Sequence, residues 1–316
     1  LPALRGVPRI QRETIVSASG SSARHAAQKF NFRDASSDES QVIGNPAVNT
    51  VMILTRHDQH ARQVIASLEA GKHVFCEKPL AITLAELEEI QETLETVPQK
   101  IAFQPLLMVG FNRRFAPLST RLAGFLSRRR EPLAMHYTIN AGFLPASHWI
   151  NHPQQGGRII GECCHFIDLM AFLAGDPPTT VSALGLPDLG RYHEDIVAML
   201  FSFPDGSVGT ISYLANGDRA YPKERLEVFC GGKIGVLNDF RTLELFSGGK
   251  RQILNSPLRQ DKGHHAEWLA FSTAIISGGP PPISYDHLFG TSRAAILALE
   301  ALRRGEKLTI DRFYIS

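Results

Sequence analysis

Thr50-Val51-Met52-Ile53-Leu54-Thr55 is a nearly unbroken apolar run of strand length, and no other segment constrains the fold as tightly. A strand with one wet face alternates apolar and polar residues, so a run without alternation is covered on both faces. Its neighbours supply the cover. Residues 58–70 carry Ala61, Val64, Ile65 and Leu68 at helical spacing, and Gly71 stops that helix. His73-Val74-Phe75-Cys76 is the next strand, Thr83 with Glu86 three residues on opens another helix through a capping box, and Leu106 to Phe111 is a further strand. Upstream, Thr14 to Ser19 is β-prone and ends at Gly20, and Ala23 to Phe30 has helical composition. Strands alternating with helices imply parallel β/α units.

In such sheets ligands bind beyond the carboxyl ends of the strands. Those ends are Ser19-Gly20, Thr55-Arg56-His57, Glu77-Lys78-Pro79 and Asn112-Arg113-Arg114, and all of them turn polar at once. Every buried strand must leave the core somewhere, so one polar end means little. Four that converge on one crevice mark a candidate site.

After Pro117 the pattern changes. Strand-like runs at Leu133–Ile139, Ile196–Phe203, Ser207–Leu214 and Leu226–Cys230, with a Pro204-Asp205-Gly206 hairpin turn, predict a largely antiparallel sheet. A helix is expected from Glu162 to Ala174, ended by Gly175, and an amphipathic one from Leu288 to Arg303. A chain of 316 residues exceeds what one core usually organises. The expected fold class is α/β: a parallel-sheet domain over residues 1–115, then an α+β domain over 116–316 with a large, mainly antiparallel sheet. Leu1-Pro2-Ala3-Leu4 reads as part of a helix already under way, which suggests a segment ahead of it.

Composition narrows the function. A net charge of +2 gives no field to hold a polyanion, and Arg128-Arg129-Arg130 reads as a solvated turn, so no nucleic-acid partner is expected. No apolar run approaches the roughly 20 residues that span a bilayer, so no membrane partner is expected either. The four cysteines show no CxxC spacing, and Cys163 and Cys164 are adjacent, poor geometry for a metal or a simple disulfide. A reduced, cytoplasmic setting and no metal site are expected.

Three segments could carry chemistry. Lys78 leaves a buried strand before a proline, which restricts its direction, and a lysine there can exchange a proton with a substrate hydroxyl; the same residue equally suits a solvated turn. His165 begins a helix whose positive end disfavours imidazolium, so it stays neutral as a base should, although a core histidine would look the same. Glu162 and Asp168 each lie one helical turn from His165 and could contact it. Trp149, ahead of the Gly156-Gly157 pair, could stack on a sugar face or pack in the core.

The segments Thr55-Arg56-His57-Asp58-Gln59-His60, Ala70 to Ala81 with its Glu77-Lys78-Pro79, Val109 to Phe115, and Gly156-Gly157 through His165-Phe166-Ile167-Asp168 occur in order and resemble the glucose-fructose oxidoreductase/inositol dehydrogenase/MocA (Gfo/Idh/MocA) family. The resemblance implies a Rossmann domain, then a domain whose open sheet forms the interface of a homo-oligomer, a dimer or tetramer. It implies hydride exchange between NAD or NADP and a hydroxyl or keto carbon of a sugar, sugar nucleotide or cyclitol. It makes Lys78 the lysine that meets the reacting hydroxyl and His165 the histidine near the reacting carbon; with Trp149 they would bind substrate. It lines the cofactor cleft with Thr55, His57, His60, Glu77 and Arg113, joined by the neighbouring strand-end residues Arg56, Lys78 and Asn112, and allows a cis peptide before Pro79.

Three departures matter. The family's GxGxxG turn is absent, so a strand and that turn are expected upstream of Leu1. The acid after the second strand gives way to Ser19-Gly20-Ser21-Ser22 with Arg24 nearby, which would not repel a 2′-phosphate and tilts the cofactor towards NADP. The frequent aspartate four residues before the histidine is Gly161, with Glu162 one position off as a third candidate catalytic group. Two alternatives stay open: an NAD-dependent glycosidase working by transient oxidation, and a non-catalytic dinucleotide-binding regulator.

Overall fold

The computed structural model describes residues 2–101, 103–256 and 259–312. The first part is made of β1 (Thr14–Val16), α1 (Gly20–Phe30), β2 (Asp34–Ser36), α2 (Ser40–Ile43), β3 (Thr50–Ile53), α3 (His57–Glu69), β4 (His73–Cys76), α4 (Leu84–Ile101) and β5 (Leu107–Val109). β3, β4 and β5 form one parallel sheet and β1 and β2 another; no ladder joins the two among the described residues. Every residue of the central strand β4 is buried, but the unbroken run at Thr50–Thr55 is not covered on both faces as expected: β3 is an edge strand of this sheet, only Ile53 of it is buried, and Leu54 beyond it is exposed. α3 presents Ala61, Val64 and Leu68 to the core, and the capping box forms: Glu86 N donates to Thr83 Oγ1 and Thr83 N to Glu86 Oε2, both at 3.2 Å.

The second part contains α5 (Pro117–Leu126), β6 (Ala134–Asn140), α6 (Cys164–Ala174), β7 (Thr180–Gly185), β8 (Ile196–Ser202), β9 (Val208–Leu214), β10 (Glu224–Cys230), β11 (Lys233–Asn238), β12 (Thr242–Ser247), β13 (Lys250–Asn255), α7 (His264–Ser277), α8 (Tyr285–Arg304) and β14 (Leu308–Thr309). Nine strands form one sheet in the order β13-β12-β11-β10-β6-β9-β8-β7-β14, antiparallel throughout except where β6 meets β9. The expected α/β class, with a parallel layer and then a mainly antiparallel sheet, is what the chain adopts. Met135, Tyr137 and Ile139 of β6 and Ile211 and Tyr213 of β9 point into the core, under α5, α6 and α8. The other face exposes Leu200, Val208, Phe229 and Ile253.

Two further local expectations change. The helix expected from Glu162 opens instead with a π-helical turn, Ile159–Cys163, before α6 begins. The expected N-terminal helix is a single 3-10 turn, Pro2–Leu4, packed against α7, with Leu1 outside the described residues. No described helix is long and apolar enough to cross a membrane.

Candidate active site

The site is built where β4 ends. Glu77 N donates to Ile53 O and Gly110 N to Cys76 O, both at 2.9 Å, so the chain leaves the sheet from a fixed point. The Lys78–Pro79 peptide is cis. His60 of α3 clasps the turn, with Nδ1 2.7 Å from Pro79 O and Nε2 3.3 Å from Thr55 O. The imidazole thus lies between two backbone carbonyls, and the neutral form that burial favours donates to one of them, Pro79 O being the nearer.

Consecutive side chains then diverge. Glu77 lines a cleft of about 400 Å³ shared with Met52, Leu54, Phe75, Glu267 and Trp268. Lys78 lines a second cavity of about 340 Å³ with His57, Trp149, Glu162, His165 and Lys223. Both volumes suit small ligands. The second cavity brings together all four residues expected to meet substrate: Lys78, Trp149, Glu162 and His165.

Lys78 Nζ donates to Gly161 O at 2.7 Å. Gly161 lies in the π turn, a distortion that turns up often at functional sites. His165 is buried on α6, and its Nδ1 has no hydrogen-bond partner. Burial, then the charges of Arg113 and Lys78, push its pKa well below the ordinary histidine value. The imidazole is neutral as expected, but desolvation rather than the helix end is the main cause. Neither nearby acid reaches it. Asp168 pairs with Arg114, whose Nε lies 3.0 Å from its Oδ2. Glu162 takes Arg158 Nε at 3.2 Å; burial would raise its pKa, but Arg158, Lys223 and Lys78 outweigh burial and keep it a carboxylate.

His57 closes one wall. Its Nδ1 lies 2.8 Å from Gln155 O, its backbone N donates to Gln155 Oε1 at 3.0 Å, and its ring meets the Trp149 edge with centroids 4.8 Å apart. Burial lowers its pKa to about 4, helped by Lys78. Arg56 lies over the Trp149 ring, 4.1 Å from its centroid.

Arg113 also lines the second cavity, and Asn112 is buried next to it in the chain. Arg113 forks onto Glu224 with two bonds of 2.8 Å, Tyr137 donates to the same carboxylate at 2.8 Å and Lys262 at 2.6 Å, while Asn112 holds Lys262 O at 2.8 Å. Burial would raise Glu224, but Arg113 and Lys262 hold it at about 2. Thr55 is exposed and donates to Gln63 at 2.6 Å. Ser19, Gly20, Ser21 and Arg24 lie apart from the β3–β5 sheet, exposed on the first turn of α1, which carries no acid; the Ser19 and Ser21 hydroxyls are 2.7 Å apart.

The structure adds residues that the sequence reading did not single out: Gln155, Lys223, and Glu267 of α7. Glu267 is pushed up to about 9 by burial and then by Glu77 and Asp168, so it is protonated at pH 7. No group of three or more His, Cys, Asp or Glu placed to hold a metal occurs among the described residues.

The chain is similar in sequence and fold to known proteins. Residues 2–103 match the Gfo/Idh/MocA model described as an oxidoreductase family with an NAD-binding Rossmann fold, and residues 131–233 match the model of that family's C-terminal domain. Myo-inositol 2-dehydrogenase of Thermotoga maritima is 26% identical over 275 residues, covering 83% of this chain and 79% of that protein. Levoglucosan dehydrogenase of Pseudarthrobacter phenanthrenivorans is 39% identical over 237 residues, covering 65% of this chain and 59% of its own length. Among solved structures, an oxidoreductase domain protein from Kribbella flavida superposes with a TM-score of 0.88 at 20% identity, covering 98% of this chain and 95% of that one. A levoglucosan dehydrogenase complexed with NADH and levoglucosan superposes with a TM-score of 0.81 at 21% identity, covering 96% and 90%.

Proposed function

The chain belongs to the Gfo/Idh/MocA family of NAD(P)-dependent oxidoreductases, and on that premise we propose that its substrate is a sugar or cyclitol bound between Lys78 and His165. The observation that carries the reading is their shared cavity of about 340 Å³, with Lys78 tied to Gly161 O at 2.7 Å. The residues present also fit the cofactor. Glu77 is half-buried, its pKa is raised by burial, and its carboxyl, which accepts from the backbone N–H of Lys78, pairs with no side chain among the described residues, which leaves room for a carboxamide. Thr55 and Glu77 would hold the nicotinamide end, while Lys78 and His57 face the substrate cavity. Bound nicotinamide supplies the acceptor or donor of the hydride.

The protein's share is orientation and proton handling. Lys78 donates to the reacting oxygen from a fixed position, and neutral His165 offers an acceptor for the hydroxyl proton. Glu162, held ionised by Arg158, steadies the ammonium of Lys78 from the cavity wall. Trp149, braced by Arg56 and His57, presents a flat surface to a ring.

Lys78→Met is expected to bind cofactor normally and lose about 10²- to 10⁴-fold in kcat/KM. Full turnover by that variant would sink the assignment. Net release of reduced cofactor separates a dehydrogenase from a hydrolase that oxidises transiently.

Cofactor choice follows from the first turn of α1. With no carboxylate there and Arg24 beside two hydroxyls, a 2′-phosphate is accommodated, so NADPH should bind more tightly than NADH. Arg24→Ala should narrow the gap. Pairing of chains through the apolar residues on the open face of the nine-stranded sheet would make a homo-oligomer; sedimentation of Phe229→Asp tests this.

A further inference from the structure

Gly161 is glycine for a reason that lies on another helix. A Cβ built at this position would stand 2.7 Å from His57 Cε1 and 3.3 Å from its Nδ1. Its own backbone is in an ordinary region, so the imidazole of His57, and not conformation, is what a side chain at 161 would meet first. An α3 ring fills the volume that a side chain on the π turn would need.

That ring is oriented with little freedom. Nδ1 faces Gln155 O at 2.8 Å, and a carbonyl only accepts, so Nδ1 carries the hydrogen. In a neutral imidazole Nε2 then holds the lone pair. No protein donor reaches Nε2 among the described residues, and the ring borders the cavity that contains Lys78 and His165. Nε2 is not sealed in the core but opens on the cavity, so its unspent lone pair is an acceptor offered to whatever fills that cavity.

We infer that His57 is a substrate-contacting residue whose Nε2 accepts a hydrogen bond from a hydroxyl next to the one that reacts. This rests on the dehydrogenase reading above and narrows its substrate class. Lys78 donates to the carbonyl of Gly161, His57 packs against the same residue, and both line one cavity. The favoured substrates are vicinal diols, with both hydroxyls free. Because the acceptor is an imidazole, it fixes the second hydroxyl without adding a negative charge beside the reacting carbon.

Two measurements test this. The first needs no turnover. G161A should lower the melting temperature by about 4 °C or more, and H57A/G161A should recover most of that loss. No recovery overturns the packing on which the inference stands. The second uses enzyme saturated with NAD(P), on myo-inositol, D-xylose and 1,5-anhydro-D-glucitol, followed by monodeoxy analogues of the best substrate. H57A should lower kcat/KM about 10- to 100-fold with cofactor Kd changed less than about threefold, while H57N keeps part of the activity. The analogue lacking the neighbouring hydroxyl should lose as much with the wild type and little more with H57A. Penalties that multiply in full, or a tenfold weaker cofactor Kd with kcat/KM intact, overturn the inference. Wild-type inactivity on every polyol overturns the dehydrogenase reading and the role of His57 together, whatever the melting temperatures show.

Discussion

The two sheets of the parallel layer are made from the same β/α units but are fixed to very different degrees. β4 is buried at all four positions, whereas β1 is half-buried and β2 is largely exposed. On the β3–β5 side the polar groups are spent on one another: His60 between two carbonyls, Arg113 on Glu224, Arg114 on Asp168. On the β1–β2 side Ser19, Ser21 and Arg24 stand in water, and the Arg33–Glu13 pair at 2.9 Å lies at the surface. The difference matches the tasks. Hydride and proton transfer need atoms held to within a fraction of an ångström, which buried, fully paired charges provide. Recognising a phosphate, the role proposed for the other side, needs only cations and hydroxyls within reach, which an exposed set would provide.

Removing one partner of a buried pair should give the largest effect. Asp168→Ala strands Arg114 in the core and is expected to cost about 3–5 kcal/mol in urea unfolding. A loss under 1 kcal/mol would mean that the buried side is no better braced than the exposed one. Next is Glu224. Its folded pKa of about 2 lies below the ordinary 4.5, so its contribution is fully present above pH 4.5 and is lost as pH falls towards 2. At one unit per 1.36 kcal/mol, that contribution is about 3 kcal/mol. The stability of Glu224→Gln should therefore fall less steeply than that of the wild type over this acid range. An equal slope would remove Glu224 from the account. Thr83→Ala breaks the cap of α4 and should cost about 1 kcal/mol by thermal melting, with kinetics unchanged. Glu13→Gln on the exposed side should stay within about 0.5 kcal/mol of the wild type.

What was legible in the sequence follows the same divide. The strands β3 and β4, α3 and the turn at Lys78 are local: short apolar runs, a helical stripe ended by Gly71, and a proline; that β3 lies at a sheet edge and is only half covered is not local. That Lys78 and His165 meet in one cavity followed from strand ends and resemblance together. The π turn was not legible, because it is settled by what packs on Gly161 from α3, about a hundred residues earlier in the chain. Gln155 was missed for the same reason, since its bonds to His57 are long-range. α7 was missed because its stripe is blurred: Trp268, Phe271 and Ala274 face inward, but Leu269 and Ile276 are exposed on the same helix. Glu267, buried on that helix, carries no local sign that its carboxyl stays protonated.

Glu77 and Lys78 enter different cavities, yet they are neighbours in the chain. Their Cα atoms are held about 3.8 Å apart by one peptide unit. The spacing between whatever fills the two cavities is therefore set by covalent geometry. Breathing between the sheet and the second part of the molecule changes how tightly each cavity closes. It does not change the offset between the two anchors, so a redesigned substrate pocket would inherit its alignment to the cofactor from the backbone of a single dipeptide.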